Sequence, residues 1–331
     1  MKAIVSNQKI YYTDFPLTKL KKEWVRIKVD YVGLCGSDVQ KLVKIKNTNN
    51  EIPAILGHEF IGEVIEINSE STEINIGDKV AGIPLLPCYK CVECNKGLHN
   101  LCRSGKAIGR TDLGAFAEFV DIPLENAIPI NNISLKNAVL ADALAVCLHA
   151  INKIDKPVVN TKCLVIGDGT IGSTLALTLK LKGARVSLLG RHVKENIKLS
   201  SVAVETYSSA TELPMSTYDI VFETVGRKQH ITLENAIYSV APAGTIIVLG
   251  VYEPEYAIPL KARDLFIKEA TLLGANSYIF DDFYKALQML EEYTEYFSSL
   301  ITHTLPLSEF NRGLNAMIDK KEHTIKVVYQ P

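Results

Sequence analysis

From Cys163 onward, short apolar runs alternate with stretches of helical spacing, and few folds accept that alternation. Cys163-Leu164-Val165-Ile166 reads as a buried strand, Thr170 to Lys182 as a helix, and Arg185-Val186-Ser187-Leu188-Leu189 as the next strand. Asp219 to Phe222, Thr245 to Leu249 and Thr271 to Leu273 are further apolar strands, with helical stretches at Gln229 to Val240 and Asp281 to Tyr293. Strands apolar on both faces and separated by helices predict a doubly wound parallel sheet. Between the first strand and helix stands Gly167-Asp168-Gly169-Thr170-Ile171-Gly172, a G-x-G-x-x-G loop. Glycines there let the backbone approach a pyrophosphate, and the helix N-terminus favours its charge. The expected ligand is therefore a dinucleotide.

The first 125 residues have a different texture. Trp24 to Val29 alternates apolar and charged residues, Ile61 to Ile67 and Ala115 to Val120 do the same, and Gly and Pro punctuate the runs. This predicts a β-rich, barrel-like domain. Near Asn137 the period changes, and Asn137 to Ile151 has helical spacing. The tail predicts a helix over Leu307 to Asp319 and a strand over Ile325 to Tyr329. Asn47 to Asn50 reads as a polar loop.

Cys88, Cys91, Cys94 and Cys102 make C-x2-C-x2-C-x7-C, four of the seven cysteines. Four thiolates so spaced can converge on one tetrahedral Zn²⁺, leaving no open position, so the metal would be structural. Disulfide pairing or an iron–sulfur cluster would fit the same spacing. Three dispersed positions also carry ligand chemistry: Cys35 in Gly33-Leu34-Cys35-Gly36-Ser37-Asp38, His58 with Glu59 in Gly57-His58-Glu59, and Asp142 at a helix start. Singly each is an ordinary core or helix-end residue. Together, ahead of a dinucleotide loop, they supply the thiolate, imidazole and carboxylate that a catalytic Zn²⁺ needs beside an exchangeable position.

The end of the second strand separates NAD from NADP. An acid there would accept the ribose 2′-hydroxyl, but Leu189 runs into Gly190-Arg191-His192, with no acid until Glu195. A small residue followed by Arg makes room for a 2′-phosphate, so NADP(H) is favoured over NAD(H), with His192, Lys194 and Lys198 in support. Lys+Arg is 36 and Asp+Glu is 37, a net charge of -1, which argues against nucleic acid as a partner. No apolar run spans a membrane, and the polar turn after Met1-Lys2-Ala3-Ile4-Val5 argues against a signal peptide, so a cytoplasmic location is expected.

At these residues the chain resembles the zinc-dependent medium-chain alcohol dehydrogenases, most of all the polyol branch with sorbitol, threonine and galactitol-1-phosphate dehydrogenases. The marks are Gly33 to Asp38, Leu56 to Glu59, Gly77-Asp78-Lys79-Val80, the four-cysteine lobe at about 87–103, Gly114 to Glu118 and the glycine loop. The resemblance implies a GroES-like catalytic domain from residues 1–142 and 277–331, with a Rossmann domain of residues 143–276 inserted. It implies two zinc ions per chain, one of them on Cys35, His58 and Asp142 with Glu59 as neighbour or alternate ligand. It further implies Ser37 as the proton acceptor and Asp38 as the group orienting His58. Gly167, Gly169, Thr170, Ile171, Gly172, Gly190, Arg191 and His192 would bind the cofactor. Lys326 would reach its pyrophosphate, and backbone groups of Leu249 and Ala275 would hold the nicotinamide carboxamide. The implied reaction is reversible oxidation of a secondary alcohol, on a sugar alcohol, its phosphate or an aminocyclitol, in a homodimer or homotetramer. An NAD-linked polyol dehydrogenase and a zinc-free quinone or enone reductase are the competing readings. Asp142-Ala143 replaces the Glu-Pro of many members, Gln40 replaces a relay histidine, and Ser277 replaces the Arg frequent in sorbitol dehydrogenases.

Overall fold

The computed structural model describes residues 1–7, 9–44, 54–70, 73–194, 196, 201–226, 229–251, 257–320 and 322–331. Asn47 to Asn50, Glu195 and Lys198 lie outside the described residues. The chain divides into two compact units, Met1–Asp142 with Tyr278–Pro331, and Ala143–Ser277.

The first unit is built on a seven-stranded sheet. Its spatial order is Ile301–Pro306, Lys326–Gln330, Trp24–Gly33, Glu59–Asn68, Lys79–Gly82 and Ala127–Pro129, with Phe119–Pro123 also paired to Trp24–Gly33. The chain end thus joins the strand that opens the sheet: Val328 pairs with Gly33 and Tyr329 with Val32. Lys2–Asn7 pairs antiparallel with Lys9–Asp14 and bridges to Ala117 through Ala3. Three aromatic rings from distant segments close the core. Phe116 and Phe310 stand edge-on at 4.9 Å, Phe310 stacks on Tyr329 at 4.9 Å, and the Tyr329 hydroxyl donates to the Phe310 carbonyl.

Two local expectations change. The alternating run Ala115 to Val120 forms a strand only from Phe119, because Ala115 and Phe116 spend their N–H groups on the carbonyls of Gly57 and Leu56. The helix expected over Asn137 to Ile151 is two pieces, Leu135–Ala138 and Ala141–Ile151. Asn137 donates its amide to the Thr294 carbonyl, a long-range anchor that competes with continuous helix at the break.

The second unit is a six-stranded parallel sheet. Its order is Glu205–Tyr207, Arg185–Leu189, Lys162–Ile166, Tyr218–Glu223, Val240–Val248 and Thr271–Gly274. Numbered along the unit, that order is 3-2-1-4-5-6, the doubly wound arrangement whose direction reverses between Lys162–Ile166 and Tyr218–Glu223. Ligands bind outside the carboxyl ends of the strands at such a reversal. No helix among the described residues is long and apolar enough to cross a membrane.

The aromatic trio predicts that Phe116→Ala, which removes a fully buried ring, lowers stability by about 3–5 kcal/mol. Urea denaturation checks it; a loss below about 1 kcal/mol would mean the trio does not hold the tail to the sheet.

Candidate active site

In the first unit, the strand Trp24–Gly33 ends just before Cys35, and the helix Gly36–Lys44 carries Ser37 and Asp38 in its first turn. His58 and Glu59 lie where Glu59–Asn68 begins, and Gly33 pairs with Glu59 across the two strands. This register brings one donor atom each from Cys35, His58 and Glu59 within 4.8 Å of one another. Asp142 stays outside that group. The buried Tyr278 hydroxyl donates to its Oδ1 at 2.5 Å. Burial, reinforced by the Asp142 charge, pushes the Tyr278 hydroxyl well above its ordinary pKa, so it remains a donor.

The electrostatics around His58 are those of a cation site. Asp38 Oδ1 stands 3.4 Å from His58 Nδ1, and Asp38 Oδ2 accepts the Cys35 N–H at 3.3 Å. Burial opposes charge on His58, yet Asp38 and Cys35 outweigh it and hold the imidazole well above its usual pKa. Burial likewise works against the Asp38 carboxylate, but His58 and Arg110 keep it below its ordinary value. Both ring nitrogens of His58, Asp38 Oδ1 and Ser37 Oγ are buried without a hydrogen-bond partner among the described residues. A closed protein core seldom leaves such groups orphaned. A thiol, an imidazole and a carboxylate converging there fit a zinc ion.

The Lys326 Nζ is fully buried and ion-paired to Glu59 Oε2.

The four-cysteine lobe forms a second donor group, with the sulfurs of Cys88, Cys91, Cys94 and Cys102 within 4.8 Å of one another. Cys91 and Cys102 sulfurs are 3.9 Å apart, and the Cys88 N–H points at Cys102. A backbone N–H at Lys90 and the Cys102 thiol pull Cys88 down to about 6, while burial pushes Cys94 up to about 12. All seven cysteines are free of disulfides. The rings of Tyr89 and Phe280 flank His99 at 5.4 Å on each side, packing the lobe onto the tail.

In the second unit the glycine loop turns between Lys162–Ile166 and the helix Thr170–Leu181. Gly167 has φ +120, a backbone that L side chains rarely adopt, and a Cβ on Gly172 would stand 1.9 Å from the Gly167 carbonyl. Thr224, on the other side of the reversal, donates its hydroxyl to the Ile166 carbonyl at 2.8 Å. A cavity of about 360 Å³ opens here, lined by Gly167, Asp168, Gly190, Arg191, Thr224 and Asn235 among others. Arg191 is exposed, whereas Lys194 is paired with Glu212 at 2.6 Å. Leu249 and Ala275 donate their N–H groups to Glu223 and Val248, which leaves their carbonyls as the groups able to hold an amide.

Sequence reasoning missed Tyr278, which has no motif around it, and the position of Asp168. The Asp168 carboxylate accepts the His192 N–H at 2.7 Å and fills the space where a side chain on Gly190 would begin. Its place inside the glycine loop was the available signal.

Known proteins share both units. Residues 21–132 match the alcohol dehydrogenase GroES-like domain, and residues 137–330 match the glucose dehydrogenase C-terminus. D-altritol 5-dehydrogenase of Agrobacterium fabrum is 31% identical over 303 residues, covering 89% of each chain. A zinc-binding dehydrogenase of Sinorhizobium meliloti 1021, solved bound to NADP, has a TM-score of 0.89 at 24% identity, covering 100% of this chain and 99% of that one. Galactitol-1-phosphate dehydrogenase of Escherichia coli has a TM-score of 0.88 at 24% identity, covering 100% of both.

The lobe predicts that Cys94→Ser removes one metal equivalent and lowers the melting temperature, since a structural metal stabilises the loop that holds it. Calorimetry with metal analysis decides it; an unchanged melt would show a lobe that holds no metal.

Proposed function

The chain belongs to the zinc-dependent medium-chain alcohol dehydrogenases, and on that premise we propose that this oxidoreductase interconverts a secondary alcohol and a ketone on a hydroxyl-rich small molecule, using NADP(H) and two zinc ions. The observation that carries the reading is the convergence of Cys35, His58 and Glu59 around buried polar atoms with no partner among the described residues. Cys35 and His58 would hold the catalytic zinc with a carboxylate from Glu59 or Asp142, and Cys88, Cys91, Cys94 and Cys102 the structural one. When bound, zinc supplies polarisation of the alcohol oxygen, and a nicotinamide supplies the hydride acceptor.

The chain's own residues do the rest. Ser37 Oγ, buried beside the donors, accepts the alcohol proton while passing its own hydroxyl proton outward, so the serine stays neutral as the alcohol becomes a ketone. Asp38 fixes the orientation of the His58 ring from its Nδ1 side. Tyr278 holds the Asp142 carboxylate, and Lys326 balances the Glu59 charge. Gln40 cannot titrate, so the proton leaves by another route. The zinc-free reductase reading leaves the donor group without purpose.

For the cofactor, Gly190 offers no acid and Arg191 offers an exposed guanidinium at the cavity rim, which supports NADP(H). One observation favours NAD(H) as the second reading: Asp168 brings a carboxylate to Gly190 from the neighbouring loop. A homodimer or homotetramer is proposed through the edge strand Thr271–Gly274, preceded by Phe266 and Ile267, which are 82% and 59% exposed.

A screen of polyols, their phosphates and the matching ketones with both cofactors tests the activity. Cys35→Ser is expected to reduce turnover about a thousandfold or more while the fold survives; turnover close to that of the unaltered protein would end the zinc reading. Arg191→Ala is expected to raise the Michaelis constant for NADP(H) about tenfold and to leave that for NAD(H) nearly unchanged. Steady-state kinetics with both cofactors reads this, and equal changes would remove Arg191 from cofactor choice.

A further inference from the structure

Two cations border the donor group of the first unit, and the chemistry described above uses neither. Lys41 lies four residues beyond Ser37 on the helix Gly36–Lys44, so both stand on one helix face. It is half-buried. Arg110 projects from the turn in which the Gly109 N–H bonds to the Asp112 carbonyl and the Arg110 N–H to that of Ala107. That turn is pressed against the residue before His58, for a Cβ on Gly109 would stand 2.3 Å from the Gly57 carbonyl. Arg110 is exposed at its end of this contact. Neither side chain has an ion pair or hydrogen bond among the described residues.

The two charges feel each other. Burial and the Arg110 guanidinium hold the Lys41 ammonium below the usual lysine range, against the pull of Asp38 and Cys35. Arg110 also acts on Asp38 and on Tyr278. Two like charges held together beside a reaction site are unfavourable alone and become favourable when an anion lies between them.

We propose that Lys41 and Arg110 form an anion subsite that takes the phosphate of a phosphorylated polyol whose hydroxyl lies at Ser37. This deepens, and rests on, the dehydrogenase reading of the same site. A guanidinium fork and a point-charge ammonium together match a phosphate dianion better than the single charge of a carboxylate.

Calorimetric titration tests this without turnover. The probes are inorganic phosphate, glycerol 3-phosphate, glycerate and glycerol, added to the zinc-loaded protein with and without saturating dinucleotide. Glycerol 3-phosphate should bind about tenfold more tightly than glycerol, with glycerate between them. Lys41→Gln and Arg110→Gln should each weaken inorganic phosphate about fivefold, while Lys41→Arg and Arg110→Lys retain it. Phosphate affinity unchanged in both glutamine variants, with circular dichroism showing them folded, would overturn the subsite. So would loss of binding in the conservative variants together with unchanged binding in Arg110→Gln, whose exposed position leaves the fold intact. Glycerate binding as tightly as glycerol 3-phosphate would overturn the phosphate assignment in favour of a carboxylate. Failure of the dehydrogenase reading appears separately, as no substrate-dependent change in nicotinamide absorbance.

Discussion

A buried ammonium must have a buried counter-charge, and the Glu59–Lys326 pair is where this chain meets that demand. Lys326 opens the last strand and Glu59 opens a strand near the start of the chain. Removing either partner would leave the other charged and dry, a loss of about 3–5 kcal/mol. The chain therefore gains from returning to its first unit after completing the second, and Tyr278–Pro331 packs with Met1–Asp142 accordingly. The Phe116, Phe310 and Tyr329 rings reinforce the same return with apolar contact.

The pair also shapes the candidate site. Each carboxylate at the candidate site has a specific neighbour: His58 for Asp38, Lys326 for Glu59, Tyr278 for Asp142. At the centre, both His58 nitrogens, Asp38 Oδ1 and Ser37 Oγ have no hydrogen-bond partner among the described residues. Lys41 and Arg110 at the border have no ion pair or hydrogen bond among the described residues. A thiol, an imidazole and a carboxylate gathered at that centre suit a metal ion.

In the second unit the same economy of charge appears on a smaller scale. The strand Arg185–Leu189 ends without an acid of its own, yet Asp168 sets a carboxylate against Gly190 and caps the His192 N–H. The exposed Arg191 lines the same cavity as Asp168, though 23 positions separate them in the chain.

Local physics made much of this legible in the residues. Apolar runs with helical stretches between them specify a doubly wound sheet because both faces must be covered, and the glycine loop specifies its own turn because only glycine fits Gly167 and Gly172. The spacing of Cys88, Cys91, Cys94 and Cys102 suffices because their loop is short enough to close on itself. The hairpin at Lys2–Asn7, the break before Ala141 and the partners of Asp142 and Glu59 were hidden. Lys326 finds Glu59 across 267 positions and Tyr278 finds Asp142 across 136, and no periodicity reaches so far. Sequence alone determined which chemical groups this protein possesses and the class of fold that carries them. Only the tertiary structure decided which charges meet, because burial raises the energy of an unpaired charge and so selects partners by position in space.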